Sequence, residues 1–232
     1  MRYLATILTL TGVLTLHART THAGIVGTTG SVSLIGAPAD VRNHMLVSDS
    51  QIVAFAEQQG VVLPHNLTFN ITLPGTAPET DAINTSPGDI LSGTRVDSFL
   101  VHFESATGTQ STPVVLSGSI TFDRDVLGLA VFDRRLNESD PFLGALSTLY
   151  PTEDRELEIR AGGIVGVSGN DSITLSEDRR TVTFNFGNTG GPDQARIVVA
   201  AVPEASSILL AGVGAACLLA WQLRRRTKLG SA

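Results

Sequence analysis

The sequence predicts an all-β protein: an antiparallel β-sandwich with an N-terminal signal peptide and one C-terminal transmembrane helix. Three observations predict it. Short segments alternate apolar and polar residues with period two. Gly, Pro and Asn-Asp clusters punctuate them at short intervals. Both chain ends carry an uncharged apolar run with basic residues at its flank.

From the N-terminus, Met1-Arg2 is a basic start, and Tyr3 to Leu16 is apolar with interspersed Thr and no charge. Thr21-His22-Ala23 places small residues before a cut, so residues 1–23 read as a secretory signal peptide cleaved after Ala23. Residues 24–201 then form the exported domain. In it Leu67, Phe69, Ile71 and Leu73 alternate with Thr68, Asn70 and Thr72. The same period recurs in Phe99-Val101-Phe103, Ile120-Phe122, Leu127-Leu129-Val131, Leu157-Ile159 and Val182-Phe184-Phe186, and Ile197 to Val202 is a last apolar run. These segments are rich in Thr, Val, Ile and Phe, which suit a pleated, half-buried surface. Pro74-Gly75, Pro87-Gly88, Gly162-Gly163, Gly169-Asn170-Asp171 and Gly190-Gly191-Pro192 separate them. Two hairpins are expected, Leu116–Asp123 with Leu127–Asp133, and Ser172–Ser176 with Thr181–Asn185. Helix is scarce: Ser50 to Gln59 suits helix or strand, and Asp140 to Leu146 suits a short turn.

Val202-Pro203-Glu204-Ala205-Ser206 follows as a short motif at residues 202–206. Pro203 breaks regular structure and favours an extended backbone. Ser207 to Leu223 holds no charge. Its length at 1.5 Å per residue is about 26 Å, near the lower limit for a bilayer core. Trp221 stands where an indole favours the membrane interface. Arg224, Arg225, Arg226 and Lys228 then form a basic stop in residues 224–232, which by the positive-inside rule keeps this end in the cytoplasm.

The order of these parts resembles the PEP-CTERM sorting signal of exported bacterial proteins. Pro203 and Glu204, the segment Ser207 to Leu223 and the cluster Arg224 to Arg226 carry the resemblance; the common motif has Pro where this chain has Ala205. The resemblance implies a Gram-negative-type bacterium, often one that makes extracellular polysaccharide and biofilm matrix. It also implies recognition by an exosortase, a membrane protease-transpeptidase that would cut near the motif and release or re-anchor the protein. It covers about thirty residues and implies nothing about the domain before them.

That domain is acidic. Between residues 24 and 202 stand ten Arg, no Lys and 21 Asp or Glu, a formal charge of −11 against −6 for the whole chain. Such a charge disfavours nucleic acid and anionic lipid. The single Cys, Cys217, lies in the apolar C-terminal segment, so the exported domain relies on a packed core rather than disulfides.

No nucleophile elbow, H-E-x-x-H, P-loop or C-x-x-C is present. His44, His65 and His102 lack metal-ligand spacing, and His102 reads as a solvent-facing strand residue. Asp123 with Asp125, Glu153 with Asp154, and Asn170 with Asp171 do not reproduce a spaced calcium loop, and an Asp beside a tight turn is usually a turn former. No metal or cofactor is expected. The domain has no Trp, its nine Phe read as core, and Tyr150 is the candidate exposed ring for sugar stacking. The reading is an exported, non-enzymatic cell-surface or extracellular-matrix protein, transiently anchored in the inner membrane. Its partners are signal peptidase, the export machinery and an exosortase-type protease. The alternative is a lectin-like module that binds extracellular polysaccharide.

Overall fold

A computed structural model describes residues 24–76, 87–108, 112–157, 171–188 and 191–201. The signal segment 1–23 with Ala23, the motif 202–206, the apolar segment 207–223 and the tail 224–232 lie outside the described residues, as does Ile159 of the strand expected at Leu157–Ile159. Among the described residues no helix is long and apolar enough to cross a membrane.

In chain order the elements are β1 (Ile25–Gly30), β2 (Val32–Leu34), β3 (Ile52–Ala56), β4 (Val61–Val62), β5 (Leu67–Phe69), β6 (Gly75–Thr76), β7 (Gly88–Ile90), β8 (Arg95–Phe103), β9 (Val114–Phe122), β10 (Val126–Ala130), α1 (Asp133–Leu143), β11 (Ser172–Leu175), β12 (Thr181–Asn188) and β13 (Asp193–Ala200). One sheet has five strands in the order β1-β9-β12-β11-β6. The other has six, β10-β13-β8-β3-β2, with β4 also pairing β8. β5 and β7 form a separate pair. Among the described strands, pairing is antiparallel except between β2 and β3, which run parallel.

Period-two alternation explains the packing of the two sheets. Ile120 and Phe122 of β9, Val182, Phe184 and Phe186 of β12, and Ile173 and Leu175 of β11 face inward from the five-stranded sheet. They meet Phe99, Val101 and Phe103 of β8, Ala195, Ile197 and Val199 of β13, and Ile52 and Ala54 of β3. Eight of the nine Phe are buried, as the alternation predicts.

The six-stranded sheet is covered on its other face too. Val96 and Leu100 of β8, Val198 of β13 and Phe55 of β3 pack there with Leu136 and Leu143 of α1 and with Leu63, Leu67 and Phe69. β8 and β13 are therefore buried nearly throughout, and each of their outward polar residues must find a partner inside the protein.

Three expectations are corrected or resolved here. The segment Ser50–Gln59 contains strand β3, not a helix. The turn expected at Asp140–Leu146 is the end of an eleven-residue helix that contains Pro141. Arg134 and Arg135 both bond Glu138, at 2.9 and 2.6 Å, which supports a sequence with few apolar positions. The hairpin expected between Leu116–Asp123 and Leu127–Asp133 is absent. β9 already has β1 on one edge and β12 on the other, so Asp123-Arg124-Asp125 carries the chain across to the second sheet, where β10 pairs β13. The second expected hairpin is present: β11 pairs β12 with Leu175 opposite Val182.

Candidate functional site

Polar constellations recur among the described residues, and the buried strand β13 supplies Arg196 and Gln194 to two of them. The first surrounds Arg196. A charged residue on the outward face of a covered sheet is fully desolvated, and Arg196 is 0% exposed. All five of its N–H groups find acceptors. Nε donates to Glu57 Oε2 at 2.7 Å and Nη2 to Glu57 Oε1 at 2.8 Å and Asp140 Oδ1 at 2.7 Å. Nη1 donates to Leu136 O at 3.0 Å and Ser139 Oγ at 2.6 Å. Glu57 is equally saturated, accepting also from Ser98 Oγ at 2.6 Å and Tyr150 OH at 2.7 Å. Burial by itself would lower the Arg196 pKa, but the Glu57 carboxylate and then Asp140 outweigh it and hold it above its ordinary value.

Arg155, also fully buried, joins the cluster through Asp140 Oδ2 at 2.6 Å and Pro151 O at 2.8 Å. Burial lowers its pKa. The Tyr150 ring lies 5.5 Å from the Arg155 guanidinium and 5.6 Å from that of Arg196, within cation–π range. Tyr150 is thus not the exposed stacking ring that the sequence suggested. It is half-buried, accepts a bond from Ala145 N and donates to Glu57; burial and then the Glu57 charge push its pKa up. Two cations and two carboxylates with complementary geometry pin α1 and the 145–155 segment to the sheet.

The second constellation is His102, which is 1% exposed rather than solvent-facing, because the third layer covers its strand. Its Nε2 lies 2.9 Å from Leu46 O and must be the donor there. Nδ1 then accepts from Gln194 Nε2 at 3.0 Å, and Gln194 Nε2 also reaches Val41 O. This neutral tautomer is favoured by burial, which lowers the pKa to about 4. The unfolded chain binds that proton near pH 6.5, so it holds more protons than the folded chain between these values. Stability should therefore fall as pH drops from about 6.5 to about 4, by about 3 kcal/mol from this group. Glu104, whose pKa burial raises, acts with the opposite sign, so the comparison of variants isolates the histidine. The urea midpoint of His102→Gln should lose most of this pH dependence; a slope equal to that of the parent would contradict the assignment.

The acidic pairs take structural parts. Asp123 Oδ1 accepts from Gly24 N at 2.8 Å, Asp125 faces Arg180 at 3.5 Å, and Asp171 Oδ1 accepts from Gly187 N at 2.7 Å. Asp154 sits at positive φ in a turn. His44 meets Glu104 at 3.2 Å, while His65 packs edge-on against Phe142. Among the described residues no three His, Cys, Asp or Glu side chains converge in a way that could hold a metal ion.

The third constellation is on the surface. Ile120, Phe122, Val182, Phe184, Ile173 and Leu175 of the five-stranded sheet face inward, which leaves the Ser, Thr and Asn between them outward. Register aligns them. Thr29 of β1 lies opposite Ser119 of β9, Ser119 opposite Thr183 of β12, Thr183 opposite Thr174 of β11, and Thr174 opposite Thr76 of β6. One hydroxyl row thus crosses all five strands. Thr121 and Thr181 begin a second row on one side, and Ser117, Asn185 and Ser172 form a third on the other. These ten side chains include no charge. Thr29–Ser119, Thr76–Thr174 and Thr121–Thr181 are hydrogen-bonded at 2.8, 2.9 and 3.1 Å. Sequence reasoning used this alternation only as a strand signal; the rows emerge once the register is known.

None of the residues expected to act in sorting or signal cleavage falls among the described ones, but both boundaries are informative. β1 begins two residues after Ala23, and Ala201 N donates to Arg95 O at 3.2 Å, so ordered sheet continues to within one residue of the motif. Residues 201–226 match the family model of the PEP-CTERM protein-sorting motif. The match includes Val202, Pro203, Glu204, Ala205 and Ser206 and ends at Arg226. This motif marks exported proteins handled by exosortase-type machinery and sorted through the membrane to the cell surface. No curated protein and no solved structure matches the chain.

Proposed function

We propose that this chain is a non-enzymatic cell-surface or extracellular-matrix protein, held briefly in the inner membrane by residues 207–223 and then cut near Pro203-Glu204 by an exosortase. The single observation that carries the reading is the sorting motif at residues 201–226. The basic stop Arg224, Arg225, Arg226 and Lys228 retains the C-terminal end inside while the acidic domain lies outside.

The N-terminal end supports the same course. Gly24 N already rests on the Asp123 carboxylate, and Gly24 O accepts from Asp123 N at 3.1 Å. Cleavage after Ala23 by signal peptidase would turn that nitrogen into an ammonium facing a carboxylate, a charge-assisted bond. The domain left between the two cuts is built on packed, mostly antiparallel sheets braced by the Arg196 cluster, which suits it to persist outside the cell without disulfides. The lectin-like alternative is favoured by one observation, the hydroxyl face of the five-stranded sheet, and concerns what the domain does after delivery. The test of delivery is the fate of residues 207–232: they should be absent from protein recovered outside the cell, and their presence there in full would overturn the proposal.

A further inference from the structure

We propose that the outer face of the five-stranded sheet is a docking surface for an extended, uncharged polysaccharide. This deepens the surface-protein reading and rests on it only for where the polymer is met.

Residues 24–202 carry −11, yet the three hydroxyl rows carry none. Thr suits outward strand positions by its β-propensity, yet none of these ten outward side chains is charged in a domain that carries 31 charged residues. A polyanion is repelled by the acidic domain as a whole, and a polycation would be drawn to its carboxylates instead. An uncharged polymer pays neither penalty, and the uncharged face complements it.

Hydrogen-bonding chemistry agrees. A Ser or Thr hydroxyl donates once and accepts twice, as do the hydroxyls of a sugar. Thr adds a methyl group for the C–H faces of the ring. Strand spacing repeats the hydroxyls about every 4.8 Å along the central row, so five strands span about 19 Å. That step is comparable to the length of one pyranose unit in an extended chain, so several successive units would meet equivalent groups. Neighbouring rows stand about 6.8 Å apart, two residues along the strands.

The face is also preorganised. Thr is stiff at χ1, and the bonds Thr29–Ser119 and Thr76–Thr174 fix hydroxyl positions at both ends of the row. Binding there costs little side-chain entropy. It needs no stacking ring, which fits the absence of Trp from the domain and the internal use of Tyr150.

The test is native affinity electrophoresis of the full chain in a polyoxyethylene detergent, through gels containing hydroxyethyl cellulose, dextran, galactomannan or, as the polyanion, alginate. At least one uncharged polymer should retard the protein, and alginate should not. The triple variant Ser119→Ala/Thr174→Val/Thr183→Val keeps the strand shapes and should weaken retardation at least about tenfold. Thr183→Val alone, at an exposed position, should weaken it about threefold and remains readable if the triple variant fails to fold. No retardation by any uncharged polymer, equal retardation of the folded variants, or stronger retardation by alginate would overturn the proposal. So would a dimer of the parent protein that the same substitutions dissociate, since the face would then join two copies of the chain. Mobility reads binding alone and C-terminal processing reads delivery alone, so the two proposals fail separately.

Discussion

Arg196→Met should lower the unfolding free energy of the domain by about 3–5 kcal/mol, the usual cost of breaking a buried ion pair from one side. The guanidinium is fully enclosed, and its five donors serve Glu57, Asp140, Ser139 and Leu136 O. Methionine fills much of the volume but leaves the Glu57 carboxylate desolvated, with only Ser98 and Tyr150 as donors. Domains of this size are stable by about 5–15 kcal/mol, so the loss is a large fraction of the total. Urea denaturation measures it. The double variant Glu57→Met/Arg196→Met removes both charges and should recover a good part of the loss, because the penalty lies in the orphaned charge rather than in the missing pair. A loss below about 1 kcal/mol for the single variant would show that the cluster is solvated, as for an exposed pair.

Pro203→Ala with Glu204→Gln should leave the full-length protein in the inner membrane. The segment 207–223 is uncharged and followed by four basic residues, so without a cut nothing releases it. Immunoblots of membrane and extracellular fractions from the native host would show the mature band replaced by a full-length membrane band. The domain should still fold, since its described strands, the last of them Asp193–Ala200, lie before the motif. Normal processing of the double variant would mean that these two residues are not what the protease reads.

The delivery signals are legible in the sequence because they depend on order alone: an apolar run, a short motif, a basic stop. The strands of the main core are nearly as legible. β9 and β12 keep a clean alternation because one of their faces meets solvent. β8 and β13 are harder, because a third layer built from segments distant in sequence buries their outward face. His102 reads as a surface residue for that reason, and Arg196 draws no reading from the sequence; its charge beside the apolar run Ile197 to Val202 is the available clue. The Asp123-Arg124-Asp125 link could not disclose its path, since three residues serve a hairpin or a crossing equally well. Only the occupied edges of β9 decide it. Helix α1 was hidden by Pro141 and by a polar sequence; it is held by Leu136 and Leu143 on the sheet and by Arg196 on Leu136 O. The hydroxyl rows needed register, which period-two patterning does not contain.

The most direct measurement of delivery is intact-mass spectrometry of the mature protein from the native host. The account predicts a chain that begins at Gly24 and ends near Pro203-Glu204, without residues 207–232. A mature extracellular chain that runs through to Ala232 would contradict it.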